Sequence, residues 1–275
     1  MLIVDLYLLI AIVGVVVAAI FGAPPALVAI MQWRESARSR HFSPKSGKPG
    51  TKDRKGVSPF YPSNPSTRED GMSPAKVDRY ETTFPQGDYD DAWRWIDPDG
   101  NCQLQQLQPA GLRILAPDQE HDLWPGSNLN APRFLRPCSG NFIATARVRC
   151  QPTSHVQGVG LLIWDDERNF ARVNRSLHHP GDPRSSHLVL FEGCSDGLYA
   201  VSGTVPCKAV DLYLRIAYSN NAVTAAYSLN SRVWHDVGAT MFFPSDDLSV
   251  GFVVLNQWGN TPFFGDLLSF SIEPV

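Results

Sequence analysis

Lysine is almost missing from the last 190 residues of this 275-residue chain. Residues 86–275 hold 12 arginines and one lysine, Lys208, against 20 acidic residues. A nucleic-acid footprint wants a basic face, so nucleic acid is excluded as a partner. Arginine in this context suits planar hydrogen bonding better than diffuse attraction. Glutamate is scarce too: the same stretch has only Glu120, Glu167, Glu192 and Glu273. The five cysteines (Cys102, Cys138, Cys150, Cys194, Cys207) include no C-x-x-C pair, which argues against a zinc ribbon or a small disulfide scaffold. They read as buried apolar thiols, with a Cys194–Cys207 disulfide the alternative for an exported domain. No stretch of 12 or more residues after 85 has the spacing of an amphipathic helix. Nucleophile-elbow, phosphate-loop and zinc-protease patterns are all missing, and no cofactor or metal is expected.

What is present falls into three electrostatic parts. Residues 1–33 carry one charge, Asp5, and nothing charged lies between Leu6 and Trp33. A membrane-spanning helix needs about 20 apolar residues, and residues 2–33 supply them, with Pro24-Pro25 ending or kinking the helix. A cleaved signal peptide is the alternative, but the basic region that should precede its apolar run is lacking. Residues 34–85 hold 11 basic and 6 acidic residues and seven prolines. They are expected to form a disordered, extended tether. Its cluster from Arg34 to Lys55 faces the membrane exit, so the positive-inside rule puts the C-terminal side in the cytoplasm. The same cluster is a candidate surface for anionic lipid.

Residues 86–275 carry a net charge of −7 and 21 aromatic residues, enough to specify a packed core. Ten short strands are expected, among them Leu112–Ala116, Phe142–Cys150, Phe170–Ser176, Asp211–Ser219, Ala222–Leu229 and Leu248–Asn256, with turns at Ser195-Asp196-Gly197 and Asn220-Asn221. Many strands without helices predict an all-β sandwich or jelly roll. Alternation assigns faces: Phe142, Ala144, Ala146 and Val148 oppose Ile143, Thr145, Arg147 and Arg149. Phe170, Arg172 and Asn174 share a face.

Certain segments resemble a known family: Trp93-Arg-Trp-Ile-Asp-Pro-Asp-Gly-Asn-Cys102, Gly111-Leu-Arg-Ile114, Asp122-Leu-Trp-Pro-Gly126, Asn130-Ala-Pro-Arg-Phe-Leu135, Gly140-Asn-Phe142 leading into Arg147-Val-Arg149, and Gly158-Val-Gly-Leu-Leu-Ile-Trp-Asp-Asp166 with Asn169-Phe-Ala-Arg172. Over residues 90–273 the chain is similar to the DUF1349 family. That family is related to the concanavalin A-like C-terminal domain of family-43 β-xylosidases and to fungal regulation-of-enolase proteins. The resemblance implies a two-sheet concanavalin A-like sandwich, non-catalytic in the xylosidases, where it packs on a propeller. No propeller is expected among the 85 residues upstream here.

Glucanases of this fold carry alternating carboxylates on one strand, with two carboxyls about 5–5.5 Å apart for retention. None of the four glutamates begins such a motif. Asp165-Asp166-Glu167 reads as a solvated turn, with calcium at Asp165, Asp166 and Asn169 a lesser alternative. His178-His179 would point opposite ways on a strand and support no zinc site. Asn174-Arg-Ser176 matches a glycosylation sequon, unused in a cytoplasmic domain. Trp93, Trp95 and Trp234 are assigned to the core, and Trp124 and Trp258 are left between core and ligand plate.

The leading expectation is a non-catalytic, membrane-anchored module that binds carbohydrate on a concave sheet face. Its site is expected to comprise Arg147, Arg149, Arg172, Asn174 and Arg215, with loop residues Trp124, Asn130, Arg133 and Trp258. Aromatic plates stack on sugar rings, and Asn and Arg supply directional hydrogen bonds. A cytoplasmic protein-interaction or regulatory module is the alternative, because a cytoplasmic domain meets few polysaccharides. A glycoside hydrolase or accessory domain of one survives only if carboxylates converge from distant segments.

Overall fold

The computed structural model describes residues 79–86, 89–178, 186–245, 248–259 and 261–275, all within one compact unit spanning Glu69–Val275. The expected membrane span and nearly all of the tether lie outside the described residues, as do His179 and Asn260. The described residues form strands without a helix.

One sheet contains β1 (Tyr80–Thr82), β3 (Gln103–Gln106), β4 (Leu112–Ala116), β6 (Phe142–Arg149), β11 (Asp211–Ser219), β12 (Ala222–Ser228), β13 (His235–Asp236), β14 (Met241–Phe242) and β16 (Phe263–Pro274). Its main order is β13-β12-β11-β6-β16-β4-β3. The other contains β2 (Arg94–Ile96), β5 (Arg133–Cys138), β7 (Gln157–Asp166), β8 (Asn169–His178), β9 (Ser186–Ser195), β10 (Leu198–Pro206) and β15 (Leu248–Asn256), in the order β10-β9-β8-β7-β15-β5-β2. The two are called here the first and second sheet. All strand pairs within them are antiparallel.

The period-2 pattern explains the layering. Phe142, Ala144, Ala146 and Val148 of β6 and Leu212, Leu214 and Ile216 of β11 are fully buried. They meet Val159, Leu161, Ile163, Val173, Phe191, Phe252 and Val254 from the second sheet in one core. Trp93 stacks on Phe134 with ring centroids 4.5 Å apart and planes 8° from parallel, and Phe84 and Phe270 meet Trp93 edge-on. Truncating a buried Phe in such a cluster costs about 3–5 kcal/mol.

Turn chemistry holds as well. Asp196-Gly197 joins β9 to β10 with φ of 49° and 80°, and Asn220-Asn221 joins β11 to β12 with φ of 51° and 61°. Positive φ at both central residues gives the turn twist that matches antiparallel strands.

The structure departs from expectation in several places. The sandwich starts before residue 86: β1 pairs with β16, and Phe84 is fully buried. β5 and β10 were not expected as strands. β5 contains Pro137 and two arginines, and β10 has a bulge between Val201 and Gly203 that breaks its alternation. At that bulge the segment Val237–Ala239 crosses closely: a Cβ on Gly203 would lie 2.2 Å from the Gly238 Cα. Trp234 is not a core residue, because it lies on the outer face of the first sheet beneath Arg215. All five cysteines are free thiols; Cys194 and Cys207 belong to different apolar clusters and are not bridged.

Candidate functional site

The expected binding face does not exist as one surface. Arg147 and Arg149 on β6 and Arg215 on β11 stand on the outer face of the first sheet. Arg172 and Asn174 stand on β8 of the second sheet, opposite the side that carries Ala171 and Val173 into the core. Alternation tells which residues share a strand face, but not which sheet that strand joins.

Arg172 and Asn174 are also fully buried rather than open. The connection from β4 to β5 folds over this face as a flap, residues 121–131. One end is pinned where the His121 N–H donates to the Asn256 carbonyl at 3.1 Å and the Asn256 N–H to the His121 carbonyl at 2.8 Å. The other end is a tight turn in which the Trp124 N–H donates to the Asn128 carbonyl at 2.6 Å. Leu123, Leu129 and Ala131 pack against Leu135, Leu162, Phe170, Val253 and Leu255 of the sheet, making a second apolar cluster. Burial of these side chains is what holds the flap down, at about 1.5–3 kcal/mol per large aliphatic group.

Asn130 staples the flap. Its Nδ2 donates to the Glu120 carbonyl at 2.9 Å and to Asp99 Oδ2 at 2.5 Å, and its Oδ1 accepts from the Asp122 N–H at 3.2 Å. Arg133 lies over the Trp164 ring at 4.4 Å and donates to the Leu129 and Ala131 carbonyls at 3.3 and 3.0 Å. Burial lowers its pKa, with Glu167 partly opposing. Both residues position the flap rather than face outward.

Beneath the flap is a buried charge network. Arg172 Nε donates to Glu192 Oε1 at 2.8 Å, its Nη1 donates to the Leu123 carbonyl at 3.4 Å, and its Nη2 lies 3.6 Å from Asp122 Oδ1. The Tyr199 hydroxyl donates to Glu192 Oε2. Burial alone would lower the Arg172 pKa, but Glu192, then Tyr199 and Asp122, reverse this and raise it. The network places two carboxylates from distant segments on one guanidinium. Glu192 and Tyr199 escaped the sequence reading. A lone glutamate inside the apolar run of β9 was the available signal, since a buried charge needs a partner.

The Trp124 ring packs against the Tyr199 ring with centroids 4.5 Å apart at 57°. The turn that follows Trp124 in the chain, residues 125–129, lines a cleft of about 660 Å³ together with Glu167-Arg168 and Asp196-Gly197. Arg168 is fixed there by Asp196, at 2.5 Å to Oδ1 and 3.0 Å to the carbonyl. Asp166 accepts from the Arg168 N–H and from Asn169 Nδ2 at 2.7 and 3.1 Å, so the Asp165–Asn169 segment is a self-capped turn. The described residues contain no cluster of metal-ligating side chains.

Trp258 lies at the other end of β8. Its ring meets His155 at 5.3 Å, and His155 meets His178 at 5.4 Å. Eight residues of strand, about 26 Å at 3.3 Å each, separate Phe170 from His178, so Trp258 and Trp124 do not share a site. Cys102 sits 3.7 Å from His121 Nε2, but burial, reinforced by Asp97 and Asp99, pushes its thiol up to about 12. A thiol held neutral is no nucleophile.

Comparison with known proteins agrees with this architecture. The model of a family described as "Protein of unknown function (DUF1349)" matches residues 106–257. No curated protein sequence matches the chain. Among solved structures, a functionally unknown protein from Saccharomyces cerevisiae is similar at TM-score 0.55 and 15% identity, over 67% of this chain and 97% of that one. The GH43 protein BlXynB from Bacillus licheniformis is similar at TM-score 0.58 and 14% identity, over 71% of this chain and 39% of its own. The xylan β-1,4-xylosidase from Bacillus halodurans C-125 gives 0.54 and 15%, over 76% and 41%. This chain thus spans about two fifths of the length of the two Bacillus proteins. At such identities the likeness establishes the fold and leaves activity to the site.

Proposed function

The chain belongs to the DUF1349 family, and within it we propose a non-catalytic, membrane-anchored module that binds carbohydrate at the rim of the flap. The observation that carries this reading is the Trp124–Tyr199 pair, next in the chain to the turn that lines the cleft. Two aromatic faces are held against a buried ion pair, and the chain runs directly from Trp124 into the turn that edges a recess with Asn128, Glu167, Arg168 and Asp196. Sugar rings present an apolar face and a girdle of hydroxyls, which suits one aromatic plate with planar donors and acceptors around it. Rigidity matters because a plate already in position loses little entropy on binding.

The non-catalytic part rests on the same network. Glu192 is held by Arg172 and Tyr199, and Arg172 Nη2 lies between it and Asp122. Glycoside hydrolysis asks one carboxyl to donate a proton and the other to attack or activate water. A guanidinium between them holds both carboxyls to itself, which leaves neither placed to act on a substrate. Anchoring rests on the charge-free stretch between Leu6 and Trp33.

A glycan array probed with the full-length chain tests the reading. Binding to at least one glycan is expected, and Trp124→Ala should weaken it on the order of thirtyfold, the loss typical of a central aromatic anchor. No binding at millimolar glycan, or binding unchanged in the Trp124→Ala variant, overturns it.

A further inference from the structure

The outer face of the first sheet carries an arginine that lacks what its neighbours have. Arg113 binds Asp266 through two hydrogen bonds, at 2.6 and 3.0 Å. Arg147 does the same with Asp211 at 2.9 and 3.0 Å, and Arg149 adds a third bond to that carboxylate at 2.9 Å. Arg215 binds no carboxylate among the described residues. Its Nε reaches Thr145 Oγ1 at 3.4 Å, and its Cζ lies over the Trp234 ring, 3.6 Å from the centroid. Such a contact restrains the fork while leaving its two terminal nitrogens unspent.

The surroundings form a shelf. Thr145 lies opposite Arg215 on β6, and Arg147 lies opposite Tyr213 on β11. Ser269 and Ser271 of β16 lie beside Arg147 and Thr145, and Ala226 of β12 lies beside Arg215. Long side chains reach such diagonal neighbours across a sheet. Around Arg215 stand four guanidiniums, those of Arg79, Arg147, Arg149 and Arg215 itself, against two carboxylates, Asp211 and Glu273; Glu273 pairs with Arg79 at 3.6 Å and is the acidic group that acts on Arg215. The local charge is therefore positive in a region, residues 86–275, whose net charge is −7.

We propose that this shelf is a second binding site, separate from the flap, that takes a hexuronic acid residue of an oligosaccharide. The carboxylate would sit on the Arg215 fork, which matches it in two parallel hydrogen bonds. Arg147 would add attraction from the side. The sugar ring would lie along the Tyr213 and Trp234 side, with its hydroxyls on Thr145, Ser269 and Ser271. A flat shelf of hydroxyls and rings favours a sugar over an acidic peptide, which would gain more from a groove or a strand edge.

Isothermal titration of the full-length chain with trigalacturonic acid, and with the same trimer reduced to neutral galactose units, tests the proposal. The acid should bind at least tenfold more tightly than its neutral counterpart, and tightness should fall as salt rises. Arg215→Lys keeps the charge and loses the fork, and should still cost fivefold or more; Arg215→Gln should abolish the preference for the acid. Trp124→Ala, which tests the flap site, should leave trigalacturonate binding on this face unchanged. Equal affinity for the two trimers, an unaffected Arg215→Gln variant of unchanged melting temperature, or equally tight binding of a hexaglutamate peptide overturns it.

Discussion

At the scale of single residues, the most consequential group is Arg172. It is fully buried, and it compensates Glu192 and Asp122 at once. Arg172→Ala would leave carboxylates buried beneath the flap without their guanidinium, which typically costs 3–5 kcal/mol, or about that here. Equilibrium unfolding in urea measures it, and a loss below about 1 kcal/mol would mean the network is not the anchor described. Asp211 gives a pH prediction. Burial opposes its ionisation, yet hydrogen bonds from Arg147 and Arg149 bring its pKa below the ordinary value. A depressed folded pKa means the stabilisation is present above the unfolded value, about 3.9, and is lost as pH falls through the folded value. The melting temperature of the wild type should drop below about pH 4, and Asp211→Asn should show a shallower drop across that window.

Elements were legible where one face met the core and the other met water. Leu112–Ala116 and Asp211–Ser219 have the boundaries their alternation predicts, while Leu248–Asn256, buried on both faces, was legible as a continuous apolar run instead. β8 shows where that logic ends. Its alternation correctly puts Arg172 and Asn174 on the face away from Val173, but nothing in the strand announces that a loop from another part of the chain lies over them. The flap has no period of its own, so Asn130 and Arg133 looked like ligand contacts when they are fasteners. Trp234 misled for a related reason: large aromatic area suits either a core or an arginine's flat face, and only the fold decides which is near. The staple itself is testable. Asn130→Ala removes three hydrogen bonds at the flap's base, each worth about 0.5–1.5 kcal/mol. Amide exchange in residues 121–131 should accelerate by one to two orders of magnitude while β6 and β11 exchange as before. Uniform acceleration across both sheets would instead mean that the flap and the sandwich open together.

The whole molecule joins this sandwich to a neutral, span-length stretch and a basic tether. By the positive-inside rule the sign change after Trp33 would orient the proposed anchor with the sandwich in the cytoplasm, the orientation that favours the protein-interaction alternative over glycan binding. In sealed cells, added protease should therefore leave the sandwich intact and degrade it only after permeabilisation. Digestion in intact cells would reverse the orientation. An anchored module would meet its own copies at high local density, and there the outer strand β10 would matter. It is nine residues long and carries no charged side chain, the kind of strand that invites a neighbouring chain to pair with it. The bulge and the crossing of Val237–Ala239 interrupt it between Val201 and Thr204, with the Ala239 N–H already spent on the Ser202 carbonyl. What remains is four residues on one side and three on the other, the latter ending in Pro206. Neither run is as long as an ordinary strand. A pair of glycines in close passage thus guards this sheet edge against pairing with a neighbouring chain.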